Sequence, residues 1–180
     1  MSDRLRVTAF ESELGWMAFA GVGAVLAELT FGHASPREAI AGLSCIGGEG
    51  EDGDDAWQRE LVERLQAYAA GDPEDFSDVA IDMDSVTPFQ RRVVQACRAI
   101  PYGQTRTYGE LAAAVGVPQA ARAVGNVMAA NRTPLIVPCH RVITSSGVLG
   151  RYSAGEGTRT KLRLIETEAQ SRVPALGSAR

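Results

Sequence analysis

The sequence has 180 residues, 45% of them hydrophobic, with 8 prolines and a formal net charge of −4, which suits one or two compact domains with a real core. No apolar run approaches the ~20 residues a membrane span needs, and the start, MSDRLRV, lacks the apolar centre of a signal peptide, so a cytoplasmic protein without membrane partners is expected. Cys45, Cys97 and Cys139 are odd in number, widely spaced and without a CxxC pair, which speaks against a disulfide framework or a zinc module.

The first half is acidic and reads as a sheet with helices. Three apolar segments, Arg6 to Phe10, Trp16 to Ala20 and Ala24 to Phe31, are separated by Glu-Ser-Glu and Gly-Val-Gly and predict a three-stranded antiparallel meander. Ser35-Pro36-Arg37-Glu38 has the form of a capping box with proline at the first helical position, so a short helix to about Leu43 follows. GGEGEDGDD, from Gly47 to Asp55, carries like charges among glycines and predicts a mobile, solvated loop. Trp57, Leu61, Val62, Leu65 and Tyr68 form a helical stripe over Ala56 to Ala70, closed by Gly71. A short extended segment near Val79 to Ile81 then leads to a domain boundary placed near Asp84.

Charge changes sign at that boundary. Residues 1 to 84 hold 5 Lys+Arg and 18 Asp+Glu, a balance of −13, whereas residues 85 to 180 hold 13 and 4, a balance of +9. Arginine supplies all but one of the positive charges in the second half, which favours phosphate contacts and a nucleic-acid partner; a dipolar protein whose halves attract each other is the alternative.

The second half predicts helices. Thr87-Pro88-Phe89-Gln90 is a capping box opening a helix that buries Phe89, Val93, Val94 and Cys97, which makes Cys97 a structural residue. Thr107-Tyr108-Gly109-Glu110 caps a helix that stops at Gly116, and Pro118 opens another that runs to about Ala130, the spacing of a helix-turn-helix. That second helix is slim: Ala120, Ala121, Ala123, Gly125, Ala129 and Ala130 surround the single charge of Arg122. Its small residues suit entry into a minor groove, and equally suit close packing on a neighbouring helix. A last helix is expected from about Thr158 to Ala169, and the tail after Gln170 is expected to be disordered.

Between these helices lies PLIVPCHRV, Pro134 to Val142. It reads as a buried strand that ends at a proline and delivers Cys139 beside His140. A thiol next to a base is a candidate nucleophile, because the thiolate is the reactive form.

FQRRVVQACRAIPYGQTRTYGELAAAVG, followed by ARAVGNVMAANRTPLIVPCHRVITSSGVLGRYS, resembles the O6-alkylguanine-DNA alkyltransferases, self-inactivating DNA repair methyltransferases. The Pro-Cys-His-Arg-Val signature stands intact at Pro138 to Val142, with Tyr108, Arg122, Asn131, Tyr152 and Glu166 at matching spacings. The likeness is strong from Thr87 to about Glu168 and covers about half of the chain. It implies an α+β fold, with an amino-terminal three-stranded antiparallel sheet and helices (residues 1–84), a mostly helical domain with a helix-turn-helix (85–170) and a disordered tail (171–180). It implies binding to the minor groove of double-stranded DNA containing O6-alkylguanine, by a monomer, with cooperativity left open, and a flipped base. Arg122 would fill the vacated stack, and Tyr108, Ala121, Ala123, Gly125 and Arg151 would touch DNA. Cys139 would accept the alkyl group, His140 would act as base through a water and be oriented by Glu166, and Asn131 would brace the turn. Tyr108, Val142, Tyr152, Ser153 and Ala154 would form the pocket, with the carbonyls of Cys139 and Val142 reading the guanine amino group. No cofactor is implied, and His33 and Cys45 do not supply the Cys/His set that some relatives use for zinc, so no metal is expected.

The chain departs from the family at Val94, where a tryptophan is common, at Arg132 and Arg151, where neutral residues are usual, and at Ala154, in place of a glycine, whose methyl is expected to narrow the pocket. Two other functions are weighed against alkyl transfer. A non-catalytic alkyltransferase-like protein that binds alkylated DNA lacks the reactive cysteine, which Cys139 argues against. An unrelated thiol hydrolase would need turnover and an oxyanion hole, and no glycine-framed nucleophile loop is evident in the sequence.

Overall fold

A computed structural model describes residues 4–45, 51–52 and 55–171. Strands β1 (Arg6–Phe10), β2 (Trp16–Val22) and β3 (Val25–His33) form the antiparallel meander, with Arg6 opposite Gly21 and Phe19 opposite Leu29. The sheet is wider than the sequence predicts. Its two edges are each extended by a two-residue parallel strand, β4 (Glu51–Asp52) on β1 and β5 (Ala80–Ile81) on β3, giving the order β4-β1-β2-β3-β5. The acidic stretch read as a solvated loop therefore supplies an edge strand, because an open edge offers unpaired backbone groups. Asp55 at its end caps the next helix, and the rest of that stretch lies outside the described residues.

Alternation along β2 assigns its two faces. Ala18 and Ala20 point to one side, where their small side chains admit the short helix α1 (Pro36–Ala41) with Ala39 and Leu43. Met17 and Phe19 point to the other, against Leu61, Leu65 and Tyr68 of α2 (Ala56–Ala70). Asp55 and Gln58 close a full capping box at the start of α2, and Gly71 ends it in the left-handed region at φ 103°.

The second half holds α3 (Pro88–Arg98), α4 (Tyr108–Ala114), α5 (Ala121–Ala129) and α6 (Thr158–Ser171). Thr87 and Thr107 close capping boxes at α3 and α4, as their sequences predict. Helix α5 begins three residues after Pro118, because no capping side chain stands before it and the chain first makes a turn in which Ala120 N–H donates to Val117 O at 2.8 Å. The tail after Ser171, expected to be disordered, lies outside the described residues, and no helix among those described is long and apolar enough to cross a membrane.

Two apolar clusters meet at Pro134–Val142. Leu135 and Ile136 join the sheet and α2, together with Leu164 of α6, while Val137, Cys139 and Val142 join α3, α4 and α5. This explains an apolar run that is not a strand. Pro134 and Val137 bridge each other across a tight turn in which Leu135 takes φ 74°, and Pro138, at φ −77° and ψ 63°, centres an inverse γ-turn closed by Cys139 N–H to Val137 O at 2.7 Å. Two prolines in five residues remove the donors a ladder would use. The chain continues as one 3-10 turn, Cys139–Arg141, and as strand β7 (Val142–Ile143).

Candidate active site around Cys139

Strand β6 (Arg106–Thr107) pairs in parallel with β7, Arg106 opposite Val142 and Thr107 opposite Ile143. Tyr108, the first residue of α4, is thereby brought to the turn that carries Cys139. Tyr108 and Cys139 line one cavity of about 230 Å3 with Met128, Ala129, Arg151, Tyr152 and Ser153. Gly150 leaves room for the Tyr108 ring, since a Cβ on it would lie 2.7 Å from the Tyr108 hydroxyl and would displace it.

The thiol is buried and held. Asn131 Nδ2 donates to Cys139 Sγ at 3.1 Å and to Val137 O at 2.9 Å, while Asn131 Oδ1 accepts from Thr133 N–H at 3.0 Å. The amide thus grips the turn at both ends. Burial pushes the Cys139 thiol above its ordinary 9.0, and the bond from Asn131 and the charge of Lys161 pull the other way without reversing it. Cys139 is a thiol at neutral pH and needs a base to become reactive.

His140 is fully buried. Its Nε2 lies 2.7 Å from Glu168 Oε1 and 3.1 Å from the Tyr68 hydroxyl, and its Nδ1 has no hydrogen-bond partner among the described residues. Glu168 also accepts from Arg141 Nε at 2.9 Å, Arg141 Nη2 at 3.0 Å and Gly103 N–H at 2.9 Å. Burial opposes ionisation of Glu168, yet hydrogen bonds from His140 and Arg141, with the charge of His140 once it is protonated in acid and the charge of Arg141, hold its carboxyl at about 2. Burial pushes the His140 imidazole below 6.5, and Glu168 does not offset that. The charge partner of Glu168 is therefore Arg141, and His140 is neutral at neutral pH. A neutral imidazole facing a carboxylate carries its proton on that side, so Nε2 is protonated and Nδ1 keeps a lone pair.

Several expected assignments change. Glu166 is exposed and Glu168 takes the place beside His140, because two residues along a helix turn the side chain to the opposite face. Leu164 is the signal that could have shown this, since Lys161, Leu164 and Glu168 recur at helical spacing along one buried stripe. Val142 lies in the core rather than in the cavity wall, and Ala154 packs against the cluster of the sheet and α2, so its methyl does not narrow the cavity. The carbonyls of Cys139 and Val142 each already accept one hydrogen bond, from Val142 N–H and, at 2.6 Å, from Lys161 Nζ.

On the helix-turn-helix, Val124 and Met128 are buried while Arg122 and Asn126 share the exposed face of α5. Arg122 makes no hydrogen bond or ion pair with any described residue. Ala121 and Ala123 are half-buried. Gly125 faces the fold rather than an exterior partner, as a Cβ on it would contact the Tyr108 ring at 3.9 Å. Arg151 and Ser153 are exposed and Tyr152 is half-buried, its hydroxyl enclosed and without a partner among the described residues.

Sequence reading also missed Tyr68, Met128, Ala129 and Lys161. Lys161 is fully buried, its Nζ 5.8 Å from the centre of the Tyr108 ring; burial pushes its ammonium below 10.5, with the Cys139 and Cys97 thiols acting in the opposite sense. Among the described residues no group of three or more His, Cys, Asp or Glu side chains converges to hold a metal ion.

Fold and site together define a class: an α+β protein in which a helix-turn-helix lines a small pocket together with one buried thiol. Comparisons with known proteins narrow it. Residues 88–170 match the family described as 6-O-methylguanine DNA methyltransferase, DNA binding domain. The chain is 44% identical over 161 residues to the methylated-DNA–protein-cysteine methyltransferase of Mycobacterium leprae (strain TN), covering 89% of this chain and 90% of that one. It is similar to the crystal structure of the Mycobacterium tuberculosis O6-methylguanine methyltransferase, at 39% identity and a TM-score of 0.75 over 95% of this chain and 96% of that one. It is likewise similar to Mycobacterium tuberculosis OGT in complex with DNA, at 39% identity and a TM-score of 0.76 over 94% of this chain and 96% of that one. The chain belongs to the methylated-DNA–protein-cysteine methyltransferase family.

Proposed function

We propose that this protein is a cytoplasmic, monomeric DNA repair protein that binds the minor groove of duplex DNA, flips out O6-alkylguanine and transfers the alkyl group to its own Cys139. Residues 85–170 do the chemistry, and α5 presents Arg122 to the space left in the stack. The observation that carries this reading is the buried thiol held by Asn131 beside a neutral imidazole whose Nδ1 lone pair is unused. His140 Nδ1 takes the Cys139 proton through a water. The thiolate then attacks the alkyl carbon, and the S–C bond forms as the C–O6 bond breaks. The negative charge left on guanine is stabilised by hydrogen bonds donated by the Tyr108 and Ser153 hydroxyls until the proton first taken from the thiol returns to the base through His140 and water. The thioether has no route back, so one chain repairs one base.

Incubation with a duplex carrying methyl-labelled O6-methylguanine tests the proposal. Label moving to the protein at no more than one methyl per chain, and none for Cys139→Ala, is the expected result. Tight binding without transfer would instead make it a non-catalytic alkylated-DNA binder.

A further inference from the structure

One residue of the ionic cluster comes from the other half of the chain. Tyr68 lies on α2, 72 positions before His140 and 100 before Glu168, and its hydroxyl donates to Glu168 Oε1 at 2.6 Å while sitting 3.1 Å from His140 Nε2. It is buried, with its ring edge-on to Phe76 at 5.9 Å and to Tyr102 at 6.1 Å. The contact with Glu168 is a specific one. A carboxylate only accepts, so the phenol proton points to Glu168, and the phenol oxygen turns its lone pairs toward the imidazole. Both groups facing His140 Nε2 are then acceptors, which leaves that nitrogen no choice but to carry the proton.

We propose that Tyr68 is a positioning residue for the base: it fixes Glu168 and the Nε2 proton of His140, so that Nδ1 keeps its lone pair, and it makes α2 a working part of the site rather than a scaffold. The inference rests on the alkyl-transfer reading above and adds to it a role for the amino-terminal half. The groups that set the charge around His140 are Glu168 and Lys161 on α6, Arg141 on the 3-10 turn, and Tyr68 on α2; Tyr102 carries the Arg141 guanidinium 5.6 Å from its ring centre, and Tyr152 acts on Tyr68 from the segment before α6. In Tyr68→Phe the ring and its packing stay while Glu168 Oε1 loses a neutral donor. The carboxylate then holds the imidazolium more strongly, and the fraction of His140 able to act as a base falls on the acid side.

Two measurements test this on the full chain. Single-turnover methyl transfer from a duplex, followed against pH, is expected to run about tenfold slower below neutrality in Tyr68→Phe, with its acid limb about one pH unit higher, at unchanged duplex affinity. The imidazole 15N shifts of His140 give the second readout, and a His33→Gln background leaves only one histidine to assign. The unaltered protein should show the Nε2-protonated tautomer, and Tyr68→Phe should move its titration upward. A Tyr68→Phe profile and titration that overlay those of the unaltered protein, or an Nδ1-protonated tautomer in the latter, would overturn the proposal. If the unaltered protein transfers no methyl group, the alkyl-transfer reading fails, and the 15N titration still decides the role of Tyr68 by itself.

Discussion

The two working regions of this molecule differ in how much bonding capacity they leave unused. Around Glu168, four residues converge on one carboxylate, and among the described polar atoms of that cluster His140 Nδ1 alone lacks a partner. On α5, Arg122 is exposed and unpartnered among the described residues, and Arg151 beside the cavity is likewise exposed. A saturated cluster fixes one proton in one place and gains nothing from a further ligand. An open arginine gains most from one, because its five donors are free for phosphate or base. On the proposed reading, chemistry and recognition have separate physical requirements, and they fall on the two elements that flank the 139–142 segment in sequence, recognition on α5 before it and the base-orienting cluster on α6 after it.

Substitutions at the two glutamates of α6 should break the comparison most sharply. Glu168→Gln leaves Arg141 buried without its charge partner, so a loss of about 3 kcal/mol in stability and at least a hundredfold loss of transfer rate are expected, read by denaturant unfolding and single-turnover kinetics. Glu166→Gln, on the exposed face two residues away, should stay within about 0.5 kcal/mol and transfer normally. A large effect at Glu166 would return the base-orienting role to it.

The acid dependence of stability follows from the same cluster. Glu168 has its folded-state pKa depressed from 4.5 to about 2, so its contribution is complete above 4.5 and is lost as pH falls from there to about 2; the depression corresponds to roughly 3 kcal/mol. His140, with its folded-state value below 6.5, takes up a proton more readily when unfolded, so the decline begins as pH falls through 6.5. Denaturant midpoints measured from neutrality downward should show both phases, and Glu168→Gln should flatten the lower one.

Smaller effects sharpen the contrast. Asn131→Ala removes the donor to Cys139 Sγ, and transfer should slow about tenfold to a hundredfold, with the thiol titrating higher by direct thiolate absorbance. Arg122→Ala should leave unfolding unchanged within about 0.5 kcal/mol and leave reaction with a free O6-alkylguanine base intact, while slowing transfer from duplex DNA. Equal slowing on base and duplex would place Arg122 in the chemistry rather than in recognition.

What was legible in the sequence was local. Ser35, Thr87 and Thr107 sit at capped helix starts because a cap needs only residues three positions apart, and Gly71 ends α2 by its own backbone freedom. Cys139, His140 and Asn131 were readable as a constellation through the family resemblance, and the structure brings Asn131 onto the thiol. Distant partners were not readable. Nothing near Tyr68 points to a carboxylate 100 positions away, and Glu168 differs from Glu166 only by the register of a helix whose stripe Leu164 fixes. Pro134–Val137 looked like a strand because both are buried and apolar; it is a turn because its side chains divide between two cores.

On the proposed function, one thiol among three accepts one alkyl group. Intact-mass analysis and peptide mapping after reaction with excess O6-methylguanine duplex test it directly. The expected result is a gain of a single methyl group per chain, located on the peptide that holds Cys139, with the peptides of Cys45 and Cys97 unchanged. Methyl on Cys45 or Cys97, or demethylated DNA in excess over protein, would contradict it.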